Sequence, residues 1–65
     1  MKIIVNGKSR KVGVNTLEKL MAFLKYDMER VIVSVNGNAV EKRKFSKTIL
    51  SEGDKVDIFS FVGGG

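Results

Sequence analysis

The sequence closes with the stretch Gly53-Asp54-Lys55-Val56-Asp57-Ile58-Phe59-Ser60-Phe61-Val62-Gly63-Gly64-Gly65. It predicts a turn, then a strand over residues 55–62, then a glycine arm that ends in a carboxylate. Glycine adds no side chain to a core, and three extended residues reach roughly 10 Å beyond a strand. Such an arm can enter a narrow channel in another protein and bring its carboxylate to the α-phosphorus of ATP. The alternative interpretation is a frayed terminus or an expression scar.

Composition limits what the chain can do alone. Its 65 residues include no cysteine and no histidine, which excludes disulfides, Ser-His and Cys-His nucleophiles and ordinary zinc sites. The acidic residues are scattered, without an acid/base pair at a recognisable spacing. We find neither a signal peptide nor an apolar run long enough to cross a membrane. We therefore predict a cytoplasmic protein that is not an enzyme and binds no cofactor or metal itself.

The net charge of +5 is concentrated in two clusters, at residues 8–11 and at residues 42–44 with Lys47. A basic surface suits nucleic acid, an anionic membrane or an acidic protein face. Only Phe45 interrupts these clusters, and base stacking needs more aromatic side chains than that. We therefore predict neither a nucleic-acid nor a membrane partner.

The first part of the chain alternates between strand and helix signals. Residues 2–6 form a β-branched run, Asn6-Gly7 is a strong hairpin signal, and residues 9–14 return as a second strand. An amphipathic helix follows, capped by Asn15 or Thr16, with Asn15 and Glu18 in the spacing of a capping box. The helical stripe consists of Leu17, Leu20, Met21 and Leu24.

The second part repeats the hairpin pattern. Residues 31–35 form a β-branched strand, Asn36-Gly37 is the second turn signal, and a short strand begins at residue 39. Residues 41–49 are charged and irregular, and Phe45 and Ile49 are their expected core anchors.

These elements predict an α+β fold in which a single helix packs across one face of a mixed sheet. The crossover places the last strand parallel to the first. We expect one domain over residues 1–62, a flexible glycine tail over residues 63–65, and a monomer. The expected inward residues are Ile3, Val5, Val12, Val56 and Ile58.

Side chains alternate between the two faces of a strand, so the residues next to the inward ones point away from the helix. Phe59 and Phe61 in the last strand, and Ile4 in the first, should lie on the uncovered face of the sheet. Apolar patches on exposed faces mark partner sites. The sequence therefore predicts a docking surface beside the glycine arm.

Four stretches together resemble a known family, in their order and in the length of the chain. They are Thr16-Leu17-x-x-Leu20, Val35-Asn36-Gly37, Gly53-Asp54-x-Val56-x-Ile58 and Val62-Gly63-Gly64-Gly65. The chain resembles the ThiS/MoaD family of ubiquitin-like β-grasp sulfur carriers along its whole length. The resemblance implies the β-grasp fold and a role in thiamine (thiazole) biosynthesis.

The resemblance also implies a chemistry for the arm. Gly65 would be adenylated by an E1-like (ThiF-like) enzyme that uses ATP with Mg, and would then be converted to a thiocarboxylate. Gly63 and Gly64 would thread the channel of the partner, and Phe59 would contact it. A cysteine desulfurase would supply sulfur, and a thiazole synthase (ThiG-like) would receive it.

Three other functions remain open at this point. The small subunit of molybdopterin synthase uses the same chemistry with another acceptor, although it is usually longer. A ubiquitin-like protein modifier shares the adenylate step. A small basic RNA-binding module fits the charge but has no use for a terminal diglycine.

Overall fold

The structure, a computed structural model, describes residues 1–61. The predicted boundary at residue 62 and the glycine tail therefore lie outside the described residues. The regular elements, in chain order, are β1 (Lys2–Val5), β2 (Lys8–Lys11), α1 (Leu17–Phe23), a 3-10 helix (Met28–Arg30), β3 (Val31–Val35), β4 (Asn38–Val40), a second 3-10 helix (Lys42–Lys47) and β5 (Lys55–Ser60).

The strands form one mixed sheet in the order β2-β1-β5-β3-β4. β5 lies at its centre, parallel to β1 and antiparallel to β3. The predicted α+β architecture, with the last strand parallel to the first, is confirmed. In the sequence, the predicted glycine arm follows directly after β5, the central strand of the sheet.

Both Asn-Gly pairs form the predicted hairpin turns. Asn6 and Gly7 have φ values of +49° and +82°, and Asn36 and Gly37 have +52° and +84°. A two-residue hairpin that matches the twist of its strands needs positive φ at both central positions. Asparagine tolerates this region and glycine has no Cβ to clash, so each pair determines its turn locally.

One hydrophobic core lies between α1 and the sheet. All five residues predicted to face the helix are buried, as are three residues of the helical stripe. The full set of buried residues is Ile3, Val5, Val12, Leu17, Leu20, Met21, Val33, Phe45, Leu50, Val56 and Ile58.

The anchors of the irregular segment differ in part from the prediction. Phe45 is buried at 2% exposure, as expected, but Ile49 is 65% exposed and its neighbour Leu50 enters the core instead. The reason is a backbone pairing with the start of α1, in which Leu17 N–H donates to Thr48 and Leu50 N–H donates to Asn15. This pairing turns the side chain of residue 49 outward, and no local pattern in the sequence reveals it.

The predicted second strand is longer than the one observed. β2 ends at Lys11, and all four of its residues are exposed. The pairing continues for one more step, since Val12 N–H donates to the carbonyl of Met1. β2 is an edge strand, and charged side chains on such a strand discourage pairing with other molecules.

The start of α1 also differs from the predicted capping box. Thr16 is the N-cap, and its Oγ1 accepts a hydrogen bond from Lys19 N–H at 3.2 Å. The helix therefore begins one residue later than a box of Asn15 and Glu18 requires, and that prediction is wrong. Thr16 performs the capping role that the alternative prediction assigned to it.

The end of α1 is a Schellman motif. The amide of Tyr26 donates to Met21 and that of Lys25 to Ala22, which satisfies carbonyls that the last turn leaves free. Lys25 occupies the left-handed position with φ +63°, where glycine is the usual residue.

Candidate functional site

The candidate site consists of the exposed face of β5 and the arm that continues from it. Gly63, Gly64 and Gly65, the predicted reactive arm, lie outside the described residues. The structure does describe β5, which precedes the arm, and the chain after it up to Phe61. There the backbone N–H donates to the carbonyl of Arg30 at 2.7 Å, so pairing with the β3 side continues one residue past the end of β5.

Three apolar side chains form an exposed patch on this face. Phe59 is 66% exposed, Phe61 52% and Ile32 52%. Phe59 and Ile32 are directly opposite each other on β5 and β3. Phe61 lies two residues after Phe59, which in extended backbone places it on the same side. We call Ile32, Phe59 and Phe61 the apolar patch.

Ile32 was missed in the sequence analysis. The sequence did contain a signal for it, since Ile32 lies between Val31 and Val33 in a strand whose odd positions point inward. Its pairing with Phe59, however, depends on the register of two strands that are far apart in the sequence. The patch is therefore larger than the two phenylalanines.

Ile4 lies apart from the patch. It is half-buried and aligned with Lys55 of β5. Lys55 is four residues before Phe59, a separation of about 13 Å at the rise of a strand. Asp57 lies between them on the same face. The structure therefore brings Phe59 and Phe61 together with Ile32 and leaves Ile4 at the other end of the strand.

The first basic cluster occupies edge strand β2. Lys8 and Arg10 border an open cleft of about 430 Å³ whose other walls include Leu24 and Tyr26. Neither cation forms an ion pair within residues 1–61. This cleft lies beside the helix, on the face of the sheet opposite the apolar patch.

The second basic cluster lies on the second 3-10 helix and is partly neutralised. Lys42 pairs with Glu29, and Arg43 Nε lies 2.7 Å from Glu41 Oε2. Because these pairs are exposed, each contributes little stability, but each lowers the local positive charge.

In the part of the chain that the structure describes, no group of acidic residues is arranged to hold a metal ion. Within that part, too, none of the helices has the length and hydropathy needed to cross a membrane.

Comparison with known proteins identifies the family. The sequence profile of the ThiS family matches residues 3–65, nearly the whole chain and including its glycine end. The chain belongs to this family. The resemblance found in the sequence is thus confirmed, and the match extends through the arm that the structure does not describe.

A solved structure of the ThiS family confirms the fold. The crystal structure of the thiamine biosynthesis protein ThiS from Geobacter metallireducens superimposes with a TM-score of 0.84 at 36% identity, and the alignment covers all of both chains. The predicted ubiquitin-like β-grasp fold is therefore correct.

Two relatives are much longer than this chain. The thiazole synthases of Paramagnetospirillum magneticum and Magnetococcus marinus are 35% and 33% identical to it over 66 residues. Each alignment covers all of this chain but 20% of the relative. The chain thus spans about one-fifth of the length of these relatives.

Proposed function

We propose that this protein is a sulfur carrier in thiamine biosynthesis, with Gly65 as the residue that carries the sulfur. The observation that carries the proposal is the family match over residues 3–65, which includes the glycine end. The β-grasp domain holds the arm at its central strand, and the partners perform the catalysis. The chain has neither cysteine nor histidine with which to perform covalent chemistry itself.

The chemistry takes place at the terminal carboxylate. In the partner's site, a carboxylate oxygen of Gly65 attacks the α-phosphorus of MgATP, and pyrophosphate leaves. The acyl-adenylate has an electrophilic carbonyl, and a cysteine desulfurase is the proposed source of the sulfur that attacks it. The desulfurase supplies this sulfur as a persulfide, which displaces AMP and forms an acyl disulfide. A thiol of a partner protein then attacks that disulfide, so that the thiocarboxylate leaves and a disulfide forms on the partner. Gly63 and Gly64 fit this role because a narrow channel can close around backbone that has no Cβ.

The apolar patch is the proposed docking surface for the E1-like adenylating enzyme. It lies on the strand that continues into the arm, so docking there directs residues 62–65 towards the partner. Exposed aromatic side chains are frequent hot spots of protein interfaces. Ile4 was predicted to share in docking; from its position beside Lys55 it contacts the partner only if the interface extends along the whole strand.

A thiazole synthase is the proposed acceptor of the sulfur. The relatives that carry this name contain a segment similar to the whole of this chain. Joining a carrier to its acceptor in one polypeptide raises the effective concentration of one for the other. This arrangement favours thiazole formation over the molybdopterin and protein-modifier alternatives.

Pyrophosphate exchange with the cognate E1-like enzyme tests the reactive residue. Deleting Gly65 shortens the arm by about 3.5 Å, so the carboxylate no longer reaches the phosphate. We expect exchange to be abolished, and an added C-terminal alanine to reduce it strongly, while the unfolding midpoint of both variants stays at the wild-type value. Exchange by the deletion variant at the wild-type rate would rule out Gly65.

Intact-mass analysis tests the sulfur itself. In the protein isolated from its host, thiocarboxylation of Gly65 should add about 16 Da to the mass of the chain. Oxidation of a methionine adds the same mass, so a thiol-specific alkylating agent must distinguish the two. Transfer of the sulfur to thiazole synthase, and not to molybdopterin synthase, is the result that we expect. An isopeptide-linked conjugate would instead favour the modifier function.

A further inference from the structure

We propose that Asn6 is a positioning residue for the reactive arm, through a hydrogen bond that its side chain makes with β5. This inference rests on the proposed function. The turn at Asn6-Gly7 explains why an asparagine is tolerated there, but it leaves the side-chain contact of Asn6 unexplained.

The contact compensates for the short length of β1. β1 ends at Val5, which is aligned with Val56, whereas β5 continues to Ser60 with β3 on its other side. From Ile58 onward, β5 therefore has a strand on one side only. This one-sided segment is the part of the sheet that leads into the arm.

Asn6 supplies the missing partner for one further step. Its backbone N–H donates to the carbonyl of Val56 at 2.9 Å, and its Oδ1 accepts from Ile58 N–H at 2.7 Å. The second bond joins residues 52 apart in sequence and is partly buried. The side chain of Asn6 thus continues the ladder of β1 after its backbone has turned away.

The other Asn-Gly turn makes an analogous contact at the opposite end of β5. Asn36 Oδ1 accepts from Lys55 N–H at 2.9 Å, and its Nδ2 donates to Asp54 at 3.0 Å. Two turns of the same type thus hold one strand, but only Asn6 does so near the arm. Asn36 is therefore a natural control for Asn6.

The bond between Asn6 Oδ1 and Ile58 N–H is one of two that hold the end of β5. Ile58 is held by Asn6 on one side of β5, and Phe61 is held by Arg30 on the other. Together these bonds hold the backbone of β5 up to Phe61, the last described residue before the arm. A misplacement of about 1 Å at a reacting group can reduce a rate about a hundredfold, so we expect the position of this backbone to affect adenylation.

Substitutions at position 6 separate the turn from the contact. Asn6→Gly keeps the positive φ that the turn needs but removes the side-chain oxygen that accepts the bond from Ile58. Asn6→Asp keeps the positive φ and also keeps an oxygen at this position. Asn36→Gly removes the corresponding acceptor at the start of β5. We would measure amide hydrogen exchange by NMR in each protein, together with kcat and KM for pyrophosphate exchange catalysed by the E1-like enzyme.

We expect Asn6→Gly to speed exchange of the Ile58 amide by about tenfold or more and to lower kcat by about tenfold. KM for the carrier should stay within about twofold, because the apolar patch is unchanged. In Asn6→Asp, exchange of the Ile58 amide and kcat should both stay near their wild-type values. Asn36→Gly should affect the Lys55 amide and leave kcat near the wild-type value.

The wild-type protein provides a second readout that needs no substitution. Amide directions alternate along a strand, so Ser60 N–H points to the same side as Ile58 N–H, past the end of β1. The Ile58 amide should therefore be protected and that of Ser60 should exchange rapidly. Equal protection of the two would overturn the role of Asn6, whether or not any variant folds.

The remaining outcomes distinguish this proposal from the proposed function. A wild-type kcat in Asn6→Gly, or an equal loss of kcat in Asn36→Gly, overturns the positioning role and leaves the carrier function intact. Absence of pyrophosphate exchange in the wild type overturns the carrier function. In that case the Ile58 and Ser60 amides still decide whether Asn6 holds β5.

Discussion

Phe45 and Phe59 are the same residue type in opposite environments. Phe45 is 2% exposed and packs in the core, whereas Phe59 lies on the uncovered face of the sheet. A domain of this size rarely has more than about 3–5 kcal/mol of stability. The two residues should therefore respond in different ways to the same truncation.

Phe59→Ala should lower the free energy of unfolding by less than about 1 kcal/mol, because little buried contact is lost. It should raise KM for adenylation by about tenfold or more if the patch is a hot spot. Phe45→Ala, the matched control, should cost about 3–5 kcal/mol and leave little folded protein. Urea unfolding and pyrophosphate exchange measure the two effects. Normal adenylation of Phe59→Ala would argue against the patch.

Lys25 carries backbone strain at the end of α1. Its φ of +63° is unfavourable for a residue with a Cβ, and glycine relieves this. Glycine also loses more freedom on folding, so we expect Lys25→Gly to stabilise the protein by no more than about 1 kcal/mol. Lys25→Ala, which retains the strain, should show no gain. A lower urea midpoint for the glycine variant than for the alanine variant would contradict this account.

At the scale of elements, α1 is short and depends on its ends. Its observed bounds give it seven residues, fewer than an isolated helix needs to form in water. Three buried side chains hold it against the sheet, and Thr16 and the Schellman motif satisfy its terminal backbone groups.

The N-cap provides a test of the observed helix start. Thr16→Ala should cost about 1 kcal/mol, which corresponds to a fall of about 4–8 °C in the melting temperature for a domain of this size. Thr16→Ser should retain most of the stability, because its hydroxyl accepts the same bond. Glu18→Ala should stay within about 0.5 kcal/mol of wild type. A larger loss of stability in Glu18→Ala than in Thr16→Ala would instead support the predicted capping box.

At the scale of the whole molecule, the first basic cluster and the proposed docking patch are on separate surfaces. The basic cleft beside β2 and the apolar patch lie on opposite faces of the sheet. We expect the net charge of +5 to act over a distance, by steering the carrier towards an acidic partner face. It is screened in physiological salt, where the Debye length is about 8 Å.

We therefore expect salt to slow the association of the carrier with its partner and to leave the rate of the chemical step unchanged. Raising NaCl from 50 to 300 mM should raise KM for the carrier about two- to fivefold and leave kcat unchanged. Neutralising Lys8 and Arg10 together should reduce this dependence. Tight binding to generic RNA, with a steep dependence on salt, would favour the nucleic-acid function instead.

The sequence by itself determined the features that depend on neighbouring residues. Both Asn-Gly turns, the strand at residues 31–35 and the apolar stripe of α1 follow from local φ preferences and side-chain period. Family membership likewise followed from short stretches in a fixed order. Such features need no knowledge of what packs against them, which is why they were predicted correctly.

Only the tertiary structure decided which distant residues meet. It placed Ile32 beside Phe59, separated Ile4 from both, and turned Ile49 outward so that Leu50 entered the core. It also gave the side chain of Asn6 a partner in β5. The physical reason is strand register: a shift of one residue exchanges the two faces of a strand, and register is determined by the packing of all the strands together.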